Sequence, residues 1–413
     1  MDRKLTIVFF DAGGGHRSAA EALKTVLQTG EQPWDVHLLN LQDELDKLDL
    51  VRKTTGIRLQ DAYNLILRKG WTRLTPQLLP LLQGVIRLYH RPVVKLLSKY
   101  WEENPADLVL SVVPHFNRAM VESIHKSSPR TAFVTLLTDF ADYPPHFWME
   151  RESEYLICGT ERAQQQAFLL GHDRSHVFLA SGMIMKPKFY QKTAVNRAEE
   201  RKELGLDPDL PTGIVLFGGH GSSTMLDIVK RLDAGKSPMQ LILICGKNQK
   251  LLDSIKALKT RFPKFVEGFT QNVDYYMALS DFFIGKPGPG SISEALQFSL
   301  PVTVECNRST LPQERYNAQW VTENRMGIVL KNFREINAGV ENLLEPSTFA
   351  ELRKNAAGYT NRALFEIPAF LDEISERHSS RFAGASSIAP AGPPLEKSVW
   401  RPRVSPIGAG LSE

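Results

Sequence analysis

The sequence predicts an α/β protein made of two Rossmann-like halves in tandem, on three observations. Short β-branched and aromatic runs alternate with helical patterns through most of the 413 residues, as in a doubly wound parallel sheet. A charged, proline-bounded stretch at residues 186 to 211, KPKFYQKTAVNRAEERKELGLDPDLP, interrupts that alternation, which then starts again. Several of the apolar runs end in glycine turns, where backbone can approach a ligand closely. With 42% hydrophobic and 23% charged residues the chain is long enough for two separate cores.

In the first half the strand candidates are LTIVFF, DVHLLNL, DLVLSVV, TAFVTLLTDF, YLIC and VFLAS, continuous apolar runs that read as strands covered on both faces. The first of them leads into DAGGGHRSAAE, where Gly13, Gly14 and Gly15 form a bare turn and His16 opens a helix. Residues 44 to 104 break the pattern with helical spacing, including Val93, Leu96, Leu97 and Tyr100. Between residues 51 and 105 ten Lys and Arg face three Asp and Glu, a local excess of seven against +4 for the whole chain. A basic amphipathic segment of this kind suits an anionic membrane surface. The alternative is that its apolar face packs on the domain and the charges are merely solvated.

The second half carries GIVLFGG, QLILICG, KFVEGF, DFFIGK, PVTVEC and GIVL as strand candidates. LFGGHGS places Gly219, Gly221 and Ser222 in a phosphate-type loop between strand and helix. In GKPGPGSISEA, prolines and glycines delay the helix until Gly290, so that Gly288, Gly290 and Ser291 offer free N–H groups to a diphosphate. Glu294, in the first helical turn, suits a ribose diol, although Ser291 and Glu294 also have the spacing of a capping box. After the next strand, LPQERYNAQWV gathers Gln313, Glu314 and Asn317, polar groups suited to sugar hydroxyls.

These motifs resemble those of glycosyltransferase family 28, in particular the monogalactosyldiacylglycerol synthases and diacylglycerol glucosyltransferases. The similarity runs from DAGGGHRSAAEAL and TDF in the first half to GFTQNVDYYMALSD, GKPGPGSISEALQFSLPV and QERYNAQW in the second, over most of residues 5 to 331. It implies the GT-B arrangement, two Rossmann-like domains facing across a cleft. The implied domains are an acceptor domain at 1 to 190 with its basic insertion, a UDP-sugar domain at 191 to 378 and a disordered tail at 379 to 413. It further implies that Glu294 holds the ribose, that Phe269 meets the uracil, that the two glycine loops approach the diphosphate, and that Gln313 and Glu314 approach the hexose. His16 becomes a catalytic or acceptor-orienting residue, with Asp139 of TDF orienting the imidazole or serving as the base itself. The position of His16 near a helix N-terminus favours the neutral imidazole.

The expected activity is an inverting transfer of galactose or glucose from a UDP-hexose to diacylglycerol, with the UDP-sugar as co-substrate and no cofactor or metal. A polyprenyl-linked acceptor, a UDP-sugar 2-epimerase and a non-catalytic UDP-sugar sensor are the competing readings. A dehydrogenase is disfavoured because GGGHRS lacks the third glycine of GxGxxG, and no GxxxxGK followed by Ser or Thr is present. The modest charge argues against a general nucleic-acid binder. Cys158, Cys245 and Cys306 are too far apart for a zinc motif and are expected as buried free thiols. The short apolar run before Asp11 is unlike a signal peptide, so the expected location is cytoplasmic, peripheral on the inner face of the membrane.

Overall fold

The computed structural model describes residues 3–11, 14–48, 89–191 and 195–385. Each of the twelve apolar runs forms a strand. β1 (Arg3–Phe9), β2 (Trp34–Asn40), β3 (Leu108–Ser111), β4 (Ala132–Leu136), β5 (Tyr155–Cys158) and β6 (Val177–Leu179) make the first sheet. β7 (Thr212–Leu216), β8 (Gln240–Ile244), β9 (Lys264–Glu267), β10 (Phe282–Gly285), β11 (Val302–Glu305) and β12 (Gly327–Leu330) make the second. All pairings are parallel, in the orders β2-β1-β3-β4-β5-β6 and β12-β11-β10-β7-β8-β9.

Side chains alternate across each strand, so one sheet supports two apolar layers. Leu5 and Ile7 of β1 pack with Leu23 and Leu27 of the helix Gly15–Thr29, whereas Val8 packs on the opposite face with Val93, Leu97 and Trp101. The latter three belong to the helix His90–Glu103. This described part of the basic segment therefore spends its apolar side on the domain, leaving Arg91, Lys95 and Lys99 exposed. The rest of that segment, residues 51–88, lies outside the described residues.

One boundary differs from that expected. The helix Ala363–Ala385 runs through the start of the expected tail, and its Ala363, Leu364, Ile367, Leu371 and Ile374 complete the core under the first sheet. Asp372 on the same helix accepts from Arg3 and from the Trp34 indole. The expected cut at 378 thus falls inside a helix that covers the first sheet; residues 386–413 lie outside the described residues. The outgoing and returning chains are also tied together: Asn361 donates to the Met183 carbonyl and the Arg362 N–H to Ser181 Oγ. A Cβ on Gly182 would lie 2.4 Å from the Tyr359 hydroxyl. The charged stretch between the halves folds onto the second sheet, with the buried Arg201 guanidinium binding the Leu279 carbonyl and Asp281.

Candidate active site

In an open parallel sheet, ligands bind beyond the carboxyl ends of the strands, where the strand order reverses. That switch point lies between β1 and β3 in the first sheet and between β7 and β10 in the second. The loops leaving those four strands are DAGGGH, VVPHF, FGGHGS and KPGPGS, so the motifs singled out from sequence flank the two crevices.

At the second switch point the helix Pro289–Gln297 begins one residue earlier than expected, with Gly288 as its N-cap and Pro289 in its first turn. No side chain caps it. Ser291 and Glu294 therefore both lie inside the helix, and the capping box is not formed. Glu294 is half-buried without a hydrogen bond or ion pair to the described residues. Burial pushes its carboxyl up to about 7, against the opposing pull of Lys186 and Lys188. A half-buried carboxylate that makes no hydrogen bond to the described residues is suited to accept from a ligand. Gly290 and Gly219 have open space where a Cβ would stand.

The glycine loop after β7 divides. Gly221 has φ +63°, and a Cβ there would sit 2.3 Å from the Cys245 carbonyl oxygen, so protein packing alone demands glycine. The following helix starts at Thr224, later than expected, and Ser222 Oγ accepts from the Thr224 N–H. Phe269 is 53% exposed, with the Lys247 ammonium 5.1 Å from its ring centre.

The cluster after β11 also departs from expectation. Glu314 is buried and its Oε1 lies 2.6 Å from Lys286 Nζ. Asn317 is fully buried and its Nδ2 donates to the Pro287 carbonyl, bracing the turn from behind. These two residues are thus committed to protein contacts, while Gln313 is half-buried beside them.

At the first switch point Gly14 takes the left-handed φ +81° that starts the helix, and Gly15 is exposed; Gly13 lies outside the described residues. His16 Nδ1 is 3.2 Å from Thr138 Oγ1, and the ring also hydrogen-bonds the Val112 backbone. Burial holds the imidazole down to about 4, so it is neutral as expected, but desolvation is the cause. Asp139 does not hydrogen-bond the imidazole. Its Oδ2 accepts from the Trp148 indole at 2.9 Å, and that indole lies against the His16 ring, with centroids 5.7 Å apart. Burial pushes the Asp139 carboxyl up to about 7, and the charges of Glu314 and Lys286 reach it from the other half. The Phe140 and Trp320 rings, 4.8 Å apart, carry the contact between halves next to it.

Three contributors were not singled out from sequence. Trp148 links His16 to Asp139, and its backbone is held by Asn117 and Asp142. His115, after β3, adopts φ 69° and packs on Phe147. A left-handed non-glycine residue in an X-Pro-His-Phe run had no local signal. Lys286 stood in the quoted motif but was given no role there.

Residues 214–365 match the glycosyltransferase family 28 C-terminal domain. Monogalactosyldiacylglycerol synthase 2, chloroplastic, of Arabidopsis thaliana is 26% identical over 400 residues, covering 91% of this chain and 81% of that protein. The crystal structure of Acinetobacter baumannii MurG superposes with a TM-score of 0.60 at 11% identity, covering 90% of this chain and all of the other. UDP-GlcNAc 2-epimerase from Methanocaldococcus jannaschii, solved with UDP-GlcNAc and UDP, gives 0.53 at 14% identity over 90% of this chain and 99% of that one. The fold is therefore GT-B, and fold alone does not separate transfer from epimerisation.

Proposed function

We propose that this chain, whose residues 214–365 match the glycosyltransferase family 28 C-terminal domain, is a UDP-sugar glycosyltransferase that moves a hexose, galactose or glucose, onto diacylglycerol. The observation that carries this reading is the pairing of two equipped crevices. One presents a carboxyl with no hydrogen bond to the described residues and open glycine backbone, and the other presents Asp139 and His16 joined through the Trp148 indole. Sequence similarity to a monogalactosyldiacylglycerol synthase over most of the chain supports the diacylglycerol acceptor.

In this reading Glu294 accepts from the ribose and Phe269 meets the uracil. The backbone at Gly219, Gly288, Gly290 and Ser291 receives the diphosphate, with Gln313 near the hexose. A general base is most effective when its pKa lies near the working pH. That favours Asp139, titrating near 7, as the proton acceptor, and His16, neutral throughout, as the group that orients the hydroxyl. The acceptor oxygen attacks the anomeric carbon as Asp139 takes its proton. The bond to the diphosphate oxygen breaks, and UDP leaves with the electron pair toward the helix N-terminus.

Peripheral attachment to the inner membrane face through the basic segment 51 to 105 is part of the proposal. Among the described residues no helix is long and apolar enough to cross a membrane. Each Lys or Arg near an anionic bilayer contributes about 1 kcal/mol, screened by salt. The test supplies UDP-galactose and UDP-glucose with diacylglycerol in anionic liposomes, following lipid product and cosedimentation. A glycosyl-diacylglycerol and salt-sensitive sedimentation are expected. Product only on a polyprenyl-linked lipid, or only an epimerised UDP-sugar, overturns the acceptor assignment, and failure to sediment at low salt overturns the membrane one.

A further inference from the structure

We propose that Lys286 is the cationic ligand of the donor's diphosphate, and that Glu314 holds its ammonium over the glycine turn for that purpose. This deepens the UDP-sugar reading above and rests on it.

Lys286 follows directly on β10, one of the two strands that border the second switch point. Its side chain turns back over the loop it introduces: a Cβ placed on Gly288 would lie 3.4 Å from Lys286 Cε and 3.7 Å from Nζ. The ammonium thus stands beside the N-cap of the helix Pro289–Gln297, where the first free N–H groups of that helix are found. Glu314 Oε1, 2.6 Å away, fixes it there. An ammonium has three N–H donors, and one goes to Glu314. The lysine side chain remains 39% exposed while that of Glu314 is 8% exposed, so the remaining donors face the open side.

The surroundings fix the ammonium in place at the boundary of the two halves. Glu314 is itself braced by its place at the end of the short turn Pro312–Glu314, and Asn317 ties the lysine's own loop through the Pro287 carbonyl. The Asn317 Oδ1 is buried with no hydrogen-bond partner among the described residues. Asp139 of the opposite half senses both Lys286 and Glu314, which puts this pair on the face shared by the two halves. Lys247, by contrast, stands over Phe269, and Lys186 and Lys188 lie toward Glu294. Lys286 is therefore the cation seen to stand against the glycine turn itself. A lysine kept only to neutralise Glu314 would gain nothing from an exposed ammonium poised over a bare turn.

The test uses the full chain and compares UDP with uridine, which carries no phosphate. Calorimetry measures UDP, and an NMR titration measures uridine. Lys286→Met alone leaves Glu314 buried without its partner and can fail to fold, so the decisive variant is the double substitution Lys286→Met with Glu314→Gln, with Glu314→Gln alone as reference. The expected result is that the double variant loses about tenfold to a hundredfold in UDP affinity relative to the reference, with uridine unchanged, and that Lys286→Arg recovers part of the UDP affinity. UDP binding equal to the reference would show that Lys286 serves only as a counter-ion to Glu314 and overturn the inference. Equal losses for UDP and uridine would also overturn it, since the defect would then be general. A wild-type chain that bound neither would overturn the donor reading itself, and the inference with it.

Discussion

At the switch point of the second sheet, Glu294 makes no hydrogen bond or ion pair to the described residues and Gly219 and Gly290 stand open, whereas at that of the first sheet His16 and Asp139 are already held by Thr138, Val112 and Trp148. Under the proposed function the second crevice is completed by its ligand. The first is organised before any ligand arrives, as a site must be when it positions a proton transfer. Both hold a carboxyl raised to about 7 by burial, yet under the proposed function they serve different ends: Glu294 would bind the ribose and Asp139 would take a proton.

The sharpest way to break this contrast is Asp139→Asn. If the first crevice performs the proton transfer, kcat falls about 10²- to 10⁴-fold while UDP affinity is kept, which single-turnover assays and calorimetry separate. In the wild type kcat/KM should rise with pH through about 7 as the carboxyl ionises. Stability should move the opposite way. A folded pKa of about 7 against an ordinary 3.8 means the native state holds the proton longer, so stability falls as pH rises between those values. The Asn variant loses that component of the pH dependence. A variant that kept its turnover would return the base role to His16.

Much of this was legible in the chain, and the reasons for the misses are specific. Twelve apolar runs of near-strand length, several bounded by glycine or proline, mark both sheets because parallel strands are apolar on both faces. Nothing local says that Ala363, Leu364, Ile367 and Leu371 return to the first sheet, since helical spacing reveals an apolar face but not what covers it. The protein contacts of Glu314 and Asn317 could not be read locally because their partners, Lys286 and the Pro287 carbonyl, lie 28 and 30 residues away. The alternative reading of Ser291 and Glu294 as a capping box is not realised because Pro289 itself starts the helix, a position proline suits.

A second test separates packing from binding inside the donor crevice. Gly221→Ala should cost about 2 to 4 kcal/mol in denaturant unfolding, because the new methyl meets the Cys245 carbonyl at 2.3 Å with the backbone at φ +63°. Gly219→Ala has nothing within 4 Å of the new methyl, so its stability should hold while UDP affinity drops. The reverse pattern would move the diphosphate away from Gly219.

Glu294→Gln is expected to trade binding for stability. Losing the charged acceptor should weaken UDP binding by about 1.5 to 3 kcal/mol. The empty protein should meanwhile gain on the order of 1 kcal/mol at pH 8. The wild-type carboxyl is raised from 4.5 to about 7, so its burial costs stability progressively as pH climbs through that window. Thermal melts with and without UDP check both halves of the statement, and unchanged UDP affinity would remove Glu294 from the site.

The smallest expected effect is at Phe269, and it asks whether the second crevice uses aromatic contact as well as backbone. The ring is 53% exposed and its cation–π partner is Lys247, 5.1 Å from the centroid, so little of the fold depends on it. An exposed cation–π pair is worth roughly 0.5 to 1 kcal/mol, which bounds the stability loss in Phe269→Ala. A base stacked on an aromatic ring contributes about 1 to 3 kcal/mol, and a half-exposed ring belongs near the low end. Phe269→Ala should thus lose about 1 kcal/mol toward both UDP and uridine alike, with kcat at saturating donor unchanged. That equal loss distinguishes a base contact from a phosphate contact. A loss confined to UDP would mean that the ring acts by holding Lys247 near the phosphates, and no loss at all would leave uracil recognition to the backbone after β9.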